Sequence, residues 1–509
     1  MGIFDWGIVA IYAAILVGIG AYASRKQNDT DEYFRGGRQI PWWAIGISIM
    51  ATSFSAASLL GGPGQGYDNG LLWLQMQLGD LLGYGLVIAI LLPLFVRLNI
   101  TTAYEYLERR FDAKTRSLGA ICFLMFVIAR LGGLLYAASL VVAQVTGLSS
   151  TEAILLVSII AVAYTVVGGI TAVIWTDVLQ FVMIFLGIAA GIWSVSQGVP
   201  GGLGQLWATA AAAGKFQAID LTWDPASIRT LPTALLAYGT LAFAVAGTNQ
   251  QSVQRYVSCP DVASGRKAAL LGWFTGLIGV AVTLLLGILL FAFYSINSGS
   301  LPPEISGDKI LPYFIVTETM PLGAAGLLVT AVFAAAMSSI DSALHALSTC
   351  ITVDFYRRYA KLEKSEAHYL RFSQILIVFW GMVGTLSAFY VASTGEDLLP
   401  FLVLYSTLSL GPLLGIFLLG VLVPRANGAG AFFGSILAVA ILAIGGEQGW
   451  LDFPGIWRAA FSAPLTLLLG SLISLVTKTP ARGSVVGLTL WSPPGENPAE
   501  PADRQRPRG

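Results

Sequence analysis

A chain of 509 residues would make about three soluble domains by length alone. Only 11% of its residues are Asp, Glu, Lys or Arg and 56% are hydrophobic, whereas soluble domains carry about 25% charged residues, so it cannot cover a water-exposed surface and reads as one membrane domain. The 28 basic and 28 acidic residues cancel, leaving no excess charge for nucleic acid, and Cys122, Cys259 and Cys350 fall in no CxxC or Cys/His pattern, which excludes a sequence-evident zinc or disulfide framework.

A membrane-crossing helix needs about 20 apolar residues. Thirteen segments meet that measure: 4–24, 41–62, 72–96, 118–146, 152–174, 177–197, 231–250, 268–295, 322–350, 372–393, 398–423, 428–446 and 457–477. The first has no basic residue before its apolar run, so it reads as a retained anchor and not as a cleavable signal peptide. With the N-terminus outside, 23 of the 28 basic residues fall in inner loops, Arg255 among them; Lys215, Arg229, Lys309 and Arg458 fall outside, and Arg130 lies within a helix. This bias predicts an N-out, C-in topology.

The second segment is small and hydroxyl-rich through Ala51-Thr-Ser-Phe-Ser-Ala-Ala-Ser58. The third carries Asp80, the fourth Arg130, and the sixth begins at Asp177, where the carboxylate could cap the helix. In the seventh, Gly239 and Gly247 could relax the helix. Segments two and seven are five apart and therefore run in opposite directions, as expected of broken helices whose carbonyls coordinate a cation at matching places in two inverted halves. Close helix packing by small residues is the competing reading. In the ninth segment, spacings of three, four and seven put Ser338, Asp341, Ser342 and His345 on one face. An ionised Asp at a helix centre costs about 2.5–3.5 kcal/mol on insertion scales, so Asp341 should face a partner or water. Single serines more often bond their own helix carbonyls, His345 reads first as a packing residue, and Arg130 could form a fixed ion pair with Asp80. The Pro- and charge-rich stretch 478–509 reads as a disordered cytoplasmic tail, and no GxxxxGK[ST] motif offers ATP as the energy source.

Five ordered runs carry a resemblance: Phe34-Arg-Gly-Gly-Arg38, Thr102-Ala-Tyr-Glu-Tyr-Leu-Glu108 followed by Arg110-Phe111, Gly168-Gly-Ile-Thr-Ala-Val-Ile-Trp-Thr-Asp-Val-Leu-Gln180, Val253-Gln-Arg-Tyr256, and Ala334-Ala-Ala-Met-Ser-Ser-Ile-Asp-Ser342. Over about residues 4–478 the chain resembles the sodium/solute symporter family, especially the branches for sialic acid, monocarboxylates, vitamins and iodide. The resemblance implies an all-α, leucine-transporter-type membrane fold within residues 1–477, its core at 41–423 built as inverted five-plus-five helix repeats. It also implies Na+ as the coupling ion, a small organic anion as solute, residence in the cell membrane, and a monomer sufficient for transport.

Carried over residue by residue, the resemblance implies a common sodium site of Ala51, Phe54, Ala335, Ser338 and Ser339. A second site would use Asp177, Ser338, Ser342 and Asp341, the last standing where the sialic-acid branch has serine. Solute contacts would come from Ser53, Ser55, Ser58, Trp73, Gln77 and Arg130, with Arg130 meeting a carboxylate. Ala57 and Ser58 replace the Glu and Gln of the sugar branch, which argues against a sugar. Two other functions compete: proton coupling through Asp341, Asp177 or His345, and a non-transporting membrane sensor.

Overall fold

Long apolar runs form helices in a membrane, because backbone groups removed from water must bond within their own segment. In the computed structural model, which describes residues 2–24, 29–297, 301–302, 305–318, 320–360, 364–394, 398–448 and 453–491, the chain is helical throughout its apolar segments. Among the described residues ten helices are long and apolar enough to cross a membrane, or eleven when one bent pair counts as a single span. Shorter apolar helices at Ser150–Val166 and Ser409–Leu422 stand at two further expected segments.

The chain begins with α1 (Ile3–Ser24) and then the bent pair α2 (Trp42–Ser53) and α3 (Ala56–Asn69), set at 68° to each other. There follow α4 (Leu72–Leu98), the short loop helix α5 (Tyr104–Arg110), α6 (Ala113–Thr146) and α7 (Ser150–Gln197). Next come α8 (Leu231–Thr248), α9 (Gln250–Val257), α10 (Val262–Ile296) and α11 (Ala324–Cys350). Four further helices, α12 (Glu366–Thr394), α13 (Leu398–Leu422), α14 (Gly428–Glu447) and α15 (Trp457–Val476), complete the chain.

The run containing α11 is central: 89% of its most apolar window is buried, against 22% for α1. α1 lays Tyr12 and Leu16 on α7 and α11 and leaves Ile3, Phe4, Ile11 and Val17 outward, as a peripheral helix facing hydrocarbon would.

Three expectations change in detail. Segments five and six join as α7 around a kink at Gly169 (φ 55°, ψ −170°), a conformation open to a residue without Cβ. Asp177 therefore lies inside a helix and caps nothing. The interruption of segment seven falls at Asn249 (φ −76°, ψ 124°), whose side chain caps α9 by accepting from Gln251 N–H at 3.0 Å. Gly239 instead lets α8 approach α4, where a Cβ on the facing Gly79 would sit 2.0 Å from Ala234 O; the packing reading holds for it. Finally, the start of the expected disordered tail is packed: Leu488 is buried, Leu490 N–H donates to Val421 O at 3.0 Å, and Tyr106 Oη–H donates to Leu488 O at 3.0 Å. Residues 492–509 of that tail lie outside the described residues.

Candidate cation and solute sites

Breaking a helix exposes carbonyl oxygens that have lost their partners one turn on. At the first break Phe54 leaves helical geometry (φ −93°, ψ 87°) and Ser55, in extended backbone, starts α3. α11 meets this break with hydroxyls. Ser338 Oγ donates to Ala51 O at 2.8 Å and to Ala335 O at 3.1 Å, and Ser339 Oγ donates to Thr52 O at 3.0 Å. Ala51, Ala335 and Ser338 are thus joined directly, Ser339 reaches the next carbonyl of the same break, and Phe54 is the residue at which the helix opens. Neutral hydroxyl and carbonyl oxygens gathered around an unwound helix suit a sodium ion. Among the described residues no three of His, Cys, Asp and Glu gather to hold a metal ion.

Beside this cluster lies an ion pair absent from the sequence reading. Arg255, on α9 and 1% exposed, places Nη2 2.9 Å from Asp177 Oδ2 and 2.6 Å from Ser342 Oγ. Its Nε donates to Ser48 Oγ at 2.7 Å and its Nη1 to Gln251 O at 2.7 Å. Asp177 Oδ2 also accepts from Ser48 Oγ at 2.5 Å and from Thr52 Oγ1 at 3.4 Å. Gln180, with its amide turned to satisfy its neighbours, donates to Asp177 Oδ1 at 3.1 Å. Asp341 accepts from Tyr164 Oη–H at 2.9 Å and from Ser342 N–H at 2.6 Å. Arg255 reads as an inner-loop charge because it follows the apolar run; the signal that marks it is the polar cluster Gln250, Gln251, Gln254, Arg255 in a helix that is buried nonetheless. Thr52 belongs to the hydroxyl-rich run of segment two and Ser48 lies just before it, whereas Tyr164 carries no sequence signal beyond being a polar residue in an apolar segment.

The expected solute residues sit on four elements. Ser55 is buried at the head of α3 and Ser58 is half-buried one turn on, while Ser53 Oγ turns back to Ile49 O at 3.0 Å. Trp73 lies half-buried in the tight turn Leu72–Gln75 that opens α4. Gln77 is buried, and its Nε2 donates to Asp80 Oδ2 at 3.1 Å. Arg130 stands on α6, which packs against α3. Among the described residues it has no carboxylate within ion-pair distance, its guanidinium carbon lying 6.0 Å from the Phe126 ring centre, so the Asp80–Arg130 pair does not form. The Tyr238 hydroxyl hydrogen-bonds Asp80.

His345 is a packing residue. Its Nδ1 takes a hydrogen bond from Gln254 Nε2 at 3.0 Å, which leaves Nε2–H to donate to Tyr33 O at 3.2 Å. Its ring packs against Tyr33 and Phe34.

The model of the sodium:solute symporter family matches residues 33–438. The chain belongs to that family. As a sodium:solute symporter it is a multi-pass membrane transporter coupled to Na+ and not an enzyme. It is 32% identical over 448 residues to the sodium/sialic acid symporter SiaT of Proteus mirabilis, covering 87% of this chain and 89% of that protein. It is 30% identical to the human sodium/iodide cotransporter, covering 85% of this chain and 68% of that one. Its structure superposes on that of a Na+-coupled sialic acid symporter in a substrate-bound outward-open state, with a TM-score of 0.86, 29% identity, and coverage of 94% of this chain and 99% of the other. The nucleobase-cation-symport-1 transporter Mhp1 shares the fold at 14% identity, with a TM-score of 0.56 and coverage of 89% and 96%.

Proposed function

We propose that this symporter imports a small carboxylate-bearing solute by alternating access. The proposed architecture has thirteen spans, an outer N-terminus and an inner C-terminus, inverted five-helix repeats, and one protomer as the transporting unit. Sodium sits among Ala51, Phe54, Ala335, Ser338 and Ser339; the solute meets Ser53, Ser55, Ser58, Trp73, Gln77 and Arg130. The observation that carries the reading is the seating of the Ser338 and Ser339 hydroxyls on the carbonyls of the broken helix, at 2.8 and 3.0 Å.

Coupling follows from the shared break. An ion held between α11 and the end of α2 fixes the geometry at Phe54, and that geometry sets where Ser55, the N-cap of α3, presents itself to a solute. Each ligand then favours the conformation that the other needs, which is a reciprocal coupling free energy. The membrane potential adds about 2.3 kcal/mol per charge per 100 mV to inward movement.

Arg130 without a carboxylate partner supports an anionic solute, since a guanidinium forms bidentate, charge-assisted bonds to a carboxylate that an ammonium cannot match in geometry. The names of relatives that carry sialic acid and iodide fit an anion. The test is sodium-driven uptake of organic acids and of their neutral amides into proteoliposomes, for the native protein and for Arg130→Lys. The native protein should accumulate acids selectively, and the variant should show a raised KM for them. Equal uptake of acids and amides would overturn the carboxylate reading.

A further inference from the structure

We propose that Asp80 is a specificity-determining residue of the solute site, and that the solute carries, besides its carboxylate, a hydrogen-bond donor that Asp80 accepts: a hydroxyl or an ammonium. The inference rests on the carboxylate reading above and names its substrate class more closely. Spacings of three and four put Gln77, Asp80 and Tyr84 on one face of α4, while Leu78, Leu81 and Leu82 form its exposed side. The two flanking residues tie this face to the groups expected to meet the solute. Gln77 is one of those groups, and Tyr84 hydrogen-bonds Ser53 at the end of α2. Asp80, between them, is only half-buried although it lies off the leucine side, so the surface it keeps opens toward the protein interior and not toward hydrocarbon.

The bonds of Asp80 define what else it can take. An ionised carboxylate accepts at about four lone-pair positions. Gln77 Nε2, 3.1 Å from Oδ2, and the Tyr238 hydroxyl fill two of them. Both donors are neutral, and among the described residues no Lys, Arg or His lies within ion-pair distance of Asp80. A carboxylate inside a membrane protein needs a partner or water beside it, so the remaining positions call for donors from whatever enters the site. Asp80 and Arg130 are complementary in this respect, because a carboxylate only accepts and a guanidinium only donates. A solute is thereby oriented, its acid group to Arg130 and its donor group to Asp80. An unsubstituted acid would satisfy Arg130 alone and would add a second negative charge to a site that already holds one, which costs free energy without a donor to offset it.

Sodium-driven uptake into proteoliposomes of butanoate and hexanoate, each set against its hydroxy derivatives, its amino derivatives and its neutral amide, tests this. The native protein should favour a donor-bearing acid over the unsubstituted acid by roughly 10- to 100-fold in uptake efficiency, the worth of one hydrogen bond to a charged group. Asp80→Ala should erase that preference. Asp80→Asn, which keeps an accepting oxygen but no charge, should retain a preference for hydroxy acids and lose one for amino acids, and so tells the two donors apart. A native protein that takes acids above amides but does not distinguish donor-bearing acids from plain ones would overturn this inference and leave the carboxylate reading standing. A folded Asp80→Ala protein that keeps the native preference would overturn it too; should that variant fail to fold, the native profile decides alone. Equal uptake of acids and amides by the native protein would remove the carboxylate reading itself, and this inference with it.

Discussion

The two interruptions, at Phe54 and at Asn249, each break an apolar segment, yet they are completed in opposite ways. At the first, the carbonyls of Ala51 and Thr52 accept from the Ser338 and Ser339 hydroxyls, which can turn to make room for an ion. At the second, the chain is closed by fixed groups: Gln250 Oε1 accepts from Ala103 N–H and its Nε2 donates to Thr101 O, both at 2.9 Å, while Tyr104 Oη–H donates to Thr248 O at 3.1 Å. The difference teaches that a broken membrane helix is not in itself an ion site. What counts is whether the freed carbonyls are satisfied by rotatable hydroxyls or by side chains already bonded at both ends.

Removing the hydroxyls at the first break should have the largest effect on ion binding. Ser338→Ala with Ser339→Ala deletes two oxygen ligands with little change in volume; at about 1.5 kcal/mol for each bond to a charged group, sodium affinity should fall on the order of 100-fold. The sodium dependence of uptake and of thermal stability checks this, and an unchanged dependence in a well-expressed variant would move the ion elsewhere.

The second break should respond in stability and not in affinity. Gln250→Ala leaves the amide of Ala103 and the carbonyl of Thr101 without their partner, at a cost of about 1–3 kcal/mol for each buried group left unsatisfied. The thermal midpoint should drop while half-saturation by sodium stays where it was. A shift in sodium affinity as large as that of the serine variant would erase the contrast between the two breaks.

The smallest effect belongs to the turn that follows the second break. Asp261 caps α10 by accepting from Ser264 N–H at 2.8 Å, and this bond holds its carboxyl below the ordinary value of 3.8. A depressed carboxyl stabilises the fold while ionised, so the contribution is full above 3.8 and is lost as the pH falls through the lower, folded-state value. Asp261→Ala should be slightly less stable at neutral pH and converge with the native protein in acid, as read from thermal midpoints across pH. A difference that does not vary with pH would assign the loss to something other than the charged cap.

Much of this was legible in the sequence because it depends on neighbours along the chain. Hydropathy located the apolar helices, since a segment in hydrocarbon must satisfy its own backbone. The small, hydroxyl-rich centre of segment two marked the first break, and the spacing of Ser338, Asp341, Ser342 and His345 put them on one face of α11. What the sequence could not decide was pairing at a distance. Arg255 looked like an inner-loop charge because it follows an apolar run, and its partner Asp177 lies 78 residues away in the chain. Asp177 looked like a cap because its apolar segment reads as starting there, whereas segments five and six run on as one helix through the kink at Gly169. Gly239 looked like a hinge, but the backbone of α4 against it makes it a point of close approach. Where Arg255 meets Asp177 is fixed by how α2, α7, α9 and α11 come together in space.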